Sequence, residues 1–327
     1  MRVGFIYLLA MSAAWSMPTD GQKSCTRNSL ASMAHANRRA GAITLEAADH
    51  SAKFFDICSC KPSEAFFSSN NMRESGRSST SDTIVRQRAF VLSIVHVLSR
   101  GDQGIGGTLR GPAPSSCLAN ISAPADFTVY NTEAHGQVHA LLSSKFGAAY
   151  TASEYVSPTA EPGSMHHTSS FGLVRHEDLR ALSFPSNSFD LVMSAEVFEH
   201  IPEPWVALAE VFRVLKPGGF YLWTVPLDTK LDAKNVQLSM LNAAGKRFDR
   251  AFKKGDLIKS PQFHGDPLAP EGGIVVFQVF GAYDLLSQMC KIGFELTRTH
   301  NIYSTRHGIV APYGVMTMVA TKPKLAE

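Results

Sequence analysis

Between residues 176 and 226 the spacing of apolar positions changes twice, which indicates a strand, a helix and a second strand in succession. Residues 189–193 form a short apolar run after a polar turn, typical of a buried strand. The next apolar side chains recur at helical spacing and share one face: Leu208, Val211, Phe212 and Leu215. We expect the Lys-Pro-Gly-Gly stretch at 216–219 to end this helix and residues 220–225 to form the next strand. A strand, a crossover helix and a strand predict a parallel sheet.

The alternation of strand and helix patterns extends on both sides of this unit. Further strands are predicted at 127–130, 149–152, 294–301 and 314–321, and helices at 83–100, 137–145 and 282–292. Residues 156–173 have the composition of a variable loop, and 228–273 is a polar, broken segment with a helix predicted near 236–244. The pattern predicts an α/β fold with a doubly wound, mostly parallel, seven-stranded sheet.

Three regions divide the chain. Residues 1–81 form an N-terminal extension that we expect to be largely disordered, because they show no sustained period. Residues 82–123 contain a covering helix and a linker, and 124–327 form the α/β domain. A basic start and an apolar run at 1–16 resemble a secretory leader, but an organellar leader or a poorly ordered apolar tail remains open. No later segment has the length and apolarity of a stable membrane span.

Charge and cysteine content limit the partners and the compartment. The 31 basic and 28 acidic residues give a net charge of +3, so charge alone points to no nucleic-acid partner. With five cysteines, we expect no disulfide framework and favour a reducing, cytoplasmic location over a secretory or organellar one. Cys58 and Cys60 lack a second cysteine or histidine pair nearby, so we predict no metal site.

Four short motifs lie within the central unit: Glu-Asp-Leu from Glu177, Leu-Ser-Phe-Pro-Ser-Asn-Ser-Phe-Asp-Leu-Val from Leu182, Glu-Val-Phe-Glu-His-Ile-Pro from Glu196, and Arg-Val-Leu-Lys-Pro-Gly-Gly from Arg213. With these motifs, residues 120–322 resemble the class I S-adenosylmethionine-dependent methyltransferases, in particular the small-molecule, type 11-like branch. The resemblance implies a Rossmann-like sheet whose last strand runs antiparallel between the fifth and the sixth.

The resemblance also implies that S-adenosyl-L-methionine binds at the carboxyl ends of the strands. The implied cofactor residues follow successive strands: Thr132, Glu133, Gly136, Glu154, Asp178, Leu179 and Ser194. The turn after the first strand keeps its acid and one glycine, but Ala134 and His135 stand where small, flexible residues are usual. Glu154 follows Glu133 by about 20 residues, the spacing of a ribose-binding acid. Each acid also has a simpler explanation, as a helix-terminal charge, a solvated strand end or an N-cap.

Four residues are candidates for the acceptor side. Glu196 and His200 follow the fourth strand, and His264 and Asp266 lie in a Gly/Pro-framed turn of the 228–273 segment. We assign catalytic roles to His264, His200 and Glu196, and substrate binding to His264 and Asp266. The alternatives are that His200 orients its own turn and that the His264 turn is loop architecture.

The predicted function is an S-adenosylmethionine-dependent methyltransferase acting on a small-molecule acceptor. A sugar or glycan precursor as acceptor is implied by the resemblance alone. A catalytically inactive methyltransferase fold used for binding or as a scaffold is the alternative, favoured by the altered glycine turn. A dinucleotide oxidoreductase is disfavoured because the glycine-rich fingerprint after the first strand is missing. The oligomeric state and the methylated atom stay open.

Overall fold

The computed structural model describes part of the chain: residues 25, 53–56, 61–66, 85–100, 117–118, 121–228, 234–241, 247–249, 263–264, 268, 273–302 and 315–324. Its helices are α1 (Val85–Arg100), α2 (Gly136–Phe146), α3 (Pro204–Val214) and α4 (Ala282–Ile292), with single 3-10 turns at Gly147–Ala149 and Phe198–His200. Its strands are β1 (Lys53–Asp56), β2 (Lys61–Phe66), β3 (Val129–Asn131), β4 (Tyr150–Ala152), β5 (Met165–Thr168), β6 (Gly172–Arg175), β7 (Phe189–Ala195), β8 (Leu215–Thr224), β9 (Leu227–Asp228), β10 (Val236–Gln237), β11 (Ser239–Leu241), β12 (Arg247–Asp249), β13 (Phe263–His264), β14 (Ile274–Val275), β15 (Gln278–Gly281), β16 (Glu295–Ile302) and β17 (Val315–Thr321).

The main sheet has the strand order β16-β17-β8-β7-β3-β4. The pairs β3–β4, β3–β7 and β7–β8 are parallel, whereas β17 runs antiparallel to both β8 and β16. Beyond β4 an isolated parallel bridge joins Glu154 to His176, so the described residues form six strands and one bridge in place of the seven strands predicted. The predicted doubly wound, mostly parallel sheet is confirmed, and so is the antiparallel last strand between the fifth and the sixth.

Alternate residues of the central strands supply two separate hydrophobic cores, one on each face of the sheet. Leu191 and Met193 point to the face covered by α1 and α2, whose buried side chains include Ile94, Val95 and Leu142. The opposite face packs against α3 and α4 through a second set of fully buried strand residues: Tyr130, Val192, Tyr221, Trp223, Met318 and Ala320. Burial on both faces explains why these strands are apolar throughout.

Helix α3 ends earlier than its apolar spacing predicts. It closes at Val214, and Leu215 already belongs to β8, where it pairs with Phe189. The Lys-Pro-Gly-Gly stretch is therefore the start of the strand, and the prediction that it ends the helix is wrong. A Cβ on Gly219 would lie 2.9 Å from the Lys216 carbonyl oxygen and 3.1 Å from that of Asp190, so the backbones approach each other closely there.

Two predictions for the connecting segments are also wrong. The expected variable loop contains the antiparallel pair β5–β6. The helix expected near 236–244 is replaced by β10, which pairs with β15, and β11, which pairs with β12. Backbone partners distant in sequence override the weak helical pattern in this segment.

The N-terminal region contributes a disulfide and a hairpin. Strands β1 and β2 pair in antiparallel fashion, within a region predicted to be largely disordered, most of which lies outside the described residues. Cys25 is disulfide-bonded to Cys290 in α4, and Cys117 is disulfide-bonded as well. The expectation of reduced cysteines is therefore wrong, and it no longer favours a reducing compartment. Within the ranges given above, no helix combines the length and apolarity that a membrane crossing requires. The leader predicted at 1–16 lies outside the described residues.

Candidate active site

The turn between β3 and α2 brings Thr132, Glu133 and Gly136 to the carboxyl edge of the sheet. The amide of Thr132 donates to the Met193 carbonyl oxygen at 3.0 Å, and the Asn131 side-chain amide donates to the Glu133 carbonyl oxygen at 2.8 Å. Gly136 starts α2 with a φ of +76°, a conformation that a side chain would strain. The Thr132 hydroxyl is buried and has no hydrogen-bond partner among the described residues, so it is available to a ligand.

Glu154 connects the end of β4 to that same turn. Its Oε1 accepts a hydrogen bond from the backbone amide of Ala134 and another from His135 Nδ1, each at 2.7 Å. Both contacts use Oε1, and Oε2 accepts none from the part of the chain that the structure describes. The structure thus joins the predicted ribose acid directly to the turn predicted to hold the methionine moiety. His135, which departs from the family pattern, takes part in this connection.

Glu133 is held in an environment that disfavours its charge. Burial raises the pKa of its carboxyl to about 7, and the nearby negative charges of Glu154 and Glu196 add to the effect. The positive charges of His135 and Arg86 act in the opposite direction but do not cancel it. A cationic ligand group beside Glu133 would favour the ionised carboxylate.

Asp178 and Leu179 lie at the end of the next connection, beside Tyr155. Asp178 accepts hydrogen bonds from Arg180 on both oxygens, the shortest at 2.7 Å from a guanidinium nitrogen. Burial alone would raise the pKa of Asp178, but these hydrogen bonds outweigh it and lower the pKa. Leu179 packs into the core on the α3 side, and Tyr155 leaves 46% of its surface exposed beside Glu154.

The residues after β7 divide into a buried and an accessible set. Ser194 is fully buried, and its hydroxyl shares a hydrogen bond with the Tyr221 hydroxyl at 2.7 Å, so its side chain does not reach the open edge. Glu196 has a φ of +57°, unusual for a residue with a side chain, and it forms an ion pair with Arg86 at 3.0 Å. The contact brings α1 to the site, so that helix does more than cover the sheet.

His264 lies against His200, although the two residues are far apart in sequence. Strand β13 pairs with β14, and this pairing brings His264 Nδ1 to 3.2 Å from His200 Nε2. His200 Nδ1 lies 2.7 Å from the Val275 carbonyl oxygen. Glu199 completes the group, with its Oε1 at 3.7 Å from both imidazole nitrogens, and these three side chains could hold a metal ion. Asp266, predicted to bind substrate with His264, lies outside the described residues.

Glu199 is the most deeply buried acid of the site. It is 0% exposed, and neither carboxylate oxygen has a hydrogen-bond partner among the described residues. Burial raises the pKa of its carboxyl to about 8, with the negative charge of Glu196 as the next cause. The charges of Glu133 and Arg86 also act on the Glu199 carboxyl.

Sequence reasoning missed three contributors to this region: Arg86, Tyr155 and the buried carboxyl of Glu199. Glu199 lies within a recognised motif, yet spacing alone gives no sign that it is buried without partners. Arg86 lies on α1, whose apolar stripe predicts the helix but gives no information about its polar contacts. The contact of Arg86 with Glu196 is visible only in the folded chain. A large aromatic residue directly after the ribose acid was the one readable signal for Tyr155.

Residues 134–223 match the family model described as methyltransferase domain. With its parallel sheet and antiparallel last strand, this region is similar to the core of a class I methyltransferase domain. An uncharacterized methyltransferase of Mycolicibacterium paratuberculosis is 36% identical over 146 residues, which cover 41% of this chain and 52% of that protein. One from Mycobacterium avium is 35% identical over 163 residues, 46% of this chain and 59% of the relative.

A shorter match reaches a relative with a specific name. The 2-methyl-6-phytyl-1,4-hydroquinone methyltransferase of Synechocystis sp. is 51% identical over 43 residues, 13% of this chain and 14% of that protein. The chain thus spans at most 59% of the length of these three relatives. Among solved structures, an S-adenosylmethionine dependent methyltransferase from Mesorhizobium loti overlaps with a TM-score of 0.36 at 15% identity, covering 61% of this chain and 93% of that one.

Proposed function

We propose that this chain is an S-adenosylmethionine-dependent methyltransferase that methylates a hydroxyl group of a small molecule. The observation that carries the proposal is the contact of Glu154 with the Ala134–His135 turn within a domain of the methyltransferase family. That contact unites two cofactor-binding elements at the carboxyl edge of a parallel sheet, where such folds bind ligands. A sugar or glycan precursor is the acceptor class that we favour, on the resemblance alone.

The residues at this edge fit S-adenosylmethionine. The Oε2 of Glu154 can accept from the ribose hydroxyls, and the unpartnered Thr132 hydroxyl and the Glu133 carboxylate suit the polar methionine end. The exposed ring of Tyr155 offers an apolar face to the adenine beside Asp178. Ser194 would contribute through backbone geometry alone, since its side chain is buried. When bound, the cofactor supplies an electrophilic methyl group on a sulfonium.

The residues on the acceptor side would align the acceptor hydroxyl and take up its proton. Because a carbonyl oxygen can only accept, the contact with Val275 implies that His200 carries a proton on Nδ1, so that in the neutral imidazole the lone pair is on Nε2. His264 is the more accessible of the two histidines, with 39% of its side chain exposed, and it faces the acceptor as general base or hydrogen-bond partner. Glu196, which forms an ion pair with Arg86, would help to orient the acceptor at the carboxyl edge of the sheet. Asp266 stays a predicted substrate ligand.

The inactive-scaffold alternative rests on the altered glycine turn. In the folded chain His135, which stands where a small residue is usual, forms a hydrogen bond to Glu154, the predicted ribose acid. The altered turn is therefore no argument for an inactive scaffold, and the match to the methyltransferase family model does not favour a scaffold either.

The proposal is tested by following the release of S-adenosylhomocysteine from S-adenosylmethionine in the presence of a panel of sugar and phenol hydroxyl acceptors. We expect acceptor-dependent release, reduced about 10²-fold or more in His264→Ala, the scale for losing a general base, with cofactor affinity nearly unchanged. The matched control is His167→Ala, which removes an exposed histidine of β5. Equal rates in wild type and His264→Ala would exclude His264 from the chemistry.

A further inference from the structure

One group of side chains on the acceptor side has the composition and spacing of a metal site. Glu199 and His200 come from the 3-10 turn after β7, and His264 comes from β13. Their ligand atoms form a triangle with sides of 3.2, 3.7 and 3.7 Å. The point equidistant from these three atoms lies roughly 2.1 Å from each, within the range of zinc–histidine and zinc–carboxylate bonds.

The orientation of His200 matches that of a metal-binding histidine. Its Nδ1 donates to the Val275 carbonyl oxygen at 2.7 Å, which fixes the ring with Nε2 beside Glu199 and His264, and in the neutral imidazole Nε2 carries the lone pair. Metal-ligating histidines commonly donate their second nitrogen to a carbonyl or carboxylate in this way. The contact with β14 therefore serves as an outer support of the group.

Glu199 supplies the second, independent observation. Its carboxylate is 0% exposed, and both oxygens lack a hydrogen-bond partner within the described ranges. An isolated buried carboxylate is costly, and buried charges are as a rule paired or bound to metals. Arg86 forms an ion pair with the neighbouring Glu196. A divalent cation between Glu199 and the two histidines would satisfy the orphaned oxygens.

We propose that Glu199, His200 and His264 bind one divalent transition-metal ion of the zinc type. Two imidazoles and one carboxylate are a known ligand set for zinc that leaves a coordination position open. The site draws its residues from two segments separated by 64 positions, so the metal also fixes the β13 segment against the sheet.

A role for the metal in the chemistry rests on the proposed function. The open position would take the oxygen of the acceptor hydroxyl, and coordination would lower the pKa of that hydroxyl so that its proton leaves to solvent. With His264 bound to the metal, coordination of the hydroxyl would replace the general-base role of His264. The resulting oxyanion forms the new O–CH3 bond while the S–CH3 bond breaks and its electron pair stays on sulfur, giving S-adenosylhomocysteine. Charge and atoms balance without an oxidant or reductant. The substrate class would thus be one with a metal-binding hydroxyl.

The site is tested by adding Co²⁺ to metal-free, untagged protein and recording visible absorption, with Zn²⁺ added afterwards as a competitor. We expect saturation at one equivalent, reversal by Zn²⁺, and affinity weakened by at least about 10-fold in Glu199→Gln and in His264→Ala. His167→Ala is the control, because it removes a histidine outside the cluster. Circular dichroism of each variant verifies folding. If Glu199→Gln does not fold, His264→Ala still tests the site, because the His264 side chain is partly exposed and its loss is less disruptive.

The outcomes separate the metal site from the cofactor site. Absence of Co²⁺ binding, or equal binding by wild type and His264→Ala, would overturn the metal proposal. S-adenosylhomocysteine is titrated into the same metal-free samples. Binding of S-adenosylhomocysteine without Co²⁺ binding would refute the metal site and leave the proposed function standing. Co²⁺ binding without S-adenosylhomocysteine binding would refute the proposed function and leave the metal site standing.

Discussion

Replacing Glu154 by glutamine is the most informative single change at the cofactor edge. The substitution keeps the size of the side chain and one acceptor oxygen, so the hydrogen bond from the Ala134 amide can persist. It removes the negative charge and turns the second oxygen into an amide that donates. The ribose hydroxyls would then lose a charged acceptor, while the turn keeps its anchor.

The magnitude follows from the kind of bond that is lost. Hydrogen bonds to charged groups contribute about 1.5–3 kcal/mol, so S-adenosylhomocysteine should bind about 10- to 150-fold more weakly to Glu154→Gln. Isothermal titration calorimetry on wild type and variant measures the difference. Glu161→Gln removes the same charge from an exposed loop position and should bind like wild type.

Urea unfolding of both variants controls for indirect effects. Removing the charge of an acid that binds the ribose should weaken S-adenosylhomocysteine binding by at least about 1 kcal/mol. If Glu154→Gln unfolds at the wild-type urea midpoint and still binds S-adenosylhomocysteine within about twofold of wild type, Glu154 does not bind the ribose.

Three further predictions concern stability and pH. Gly293 follows α4 with a φ of +117°, and a Cβ at this position would lie 3.0 Å from Phe212 Cζ. Gly293→Ala should therefore lower the free energy of unfolding, measured by urea titration, by about 1–2 kcal/mol. An unchanged urea midpoint would show that Ala is not strained at this position. Because the Glu133 pKa is about 7 and a cationic ligand group favours its ionised form, affinity for S-adenosylhomocysteine should fall by up to about fivefold between pH 7 and pH 6, and calorimetry should find this dependence absent in Glu133→Gln. Removing the Cys25–Cys290 disulfide by the double substitution Cys25→Ser and Cys290→Ser should lower the free energy of unfolding by about 2–4 kcal/mol, and non-reducing peptide mapping that finds both thiols free in the wild-type chain would refute the pairing.

Elements with strong local patterns were predictable from sequence. Helix α4 shows an amphipathic stripe that ends at a glycine, and the structure has it at Ala282–Ile292 followed by Gly293 in the left-handed region. The β7–α3–β8 unit was predictable for the same reason, apart from the end of its helix. There the pairing of Leu215 with Phe189 decides the boundary, and helical spacing carries no information about a strand partner.

Features that depend on distant contacts were not predictable. The meeting of His200 with His264 requires the pairing of β13 with β14, and nothing in the spacing of the two histidines indicates it. The Cys25–Cys290 bond joins residues 265 positions apart, and an odd cysteine count argued against it. Glu133 and Glu154 could be selected as candidate cofactor acids because each follows a predicted strand, and the order of strands in such a sheet brings the strand ends together.

A calorimetric titration of the wild-type chain with S-adenosylhomocysteine tests whether the carboxyl edge of the sheet binds S-adenosylmethionine. We expect saturable binding at one site per chain, displaced by S-adenosylmethionine and weakened in Glu154→Gln. Folded wild-type protein that gives no binding heat at millimolar S-adenosylhomocysteine, and shows no displacement in a competition experiment, would contradict the claim.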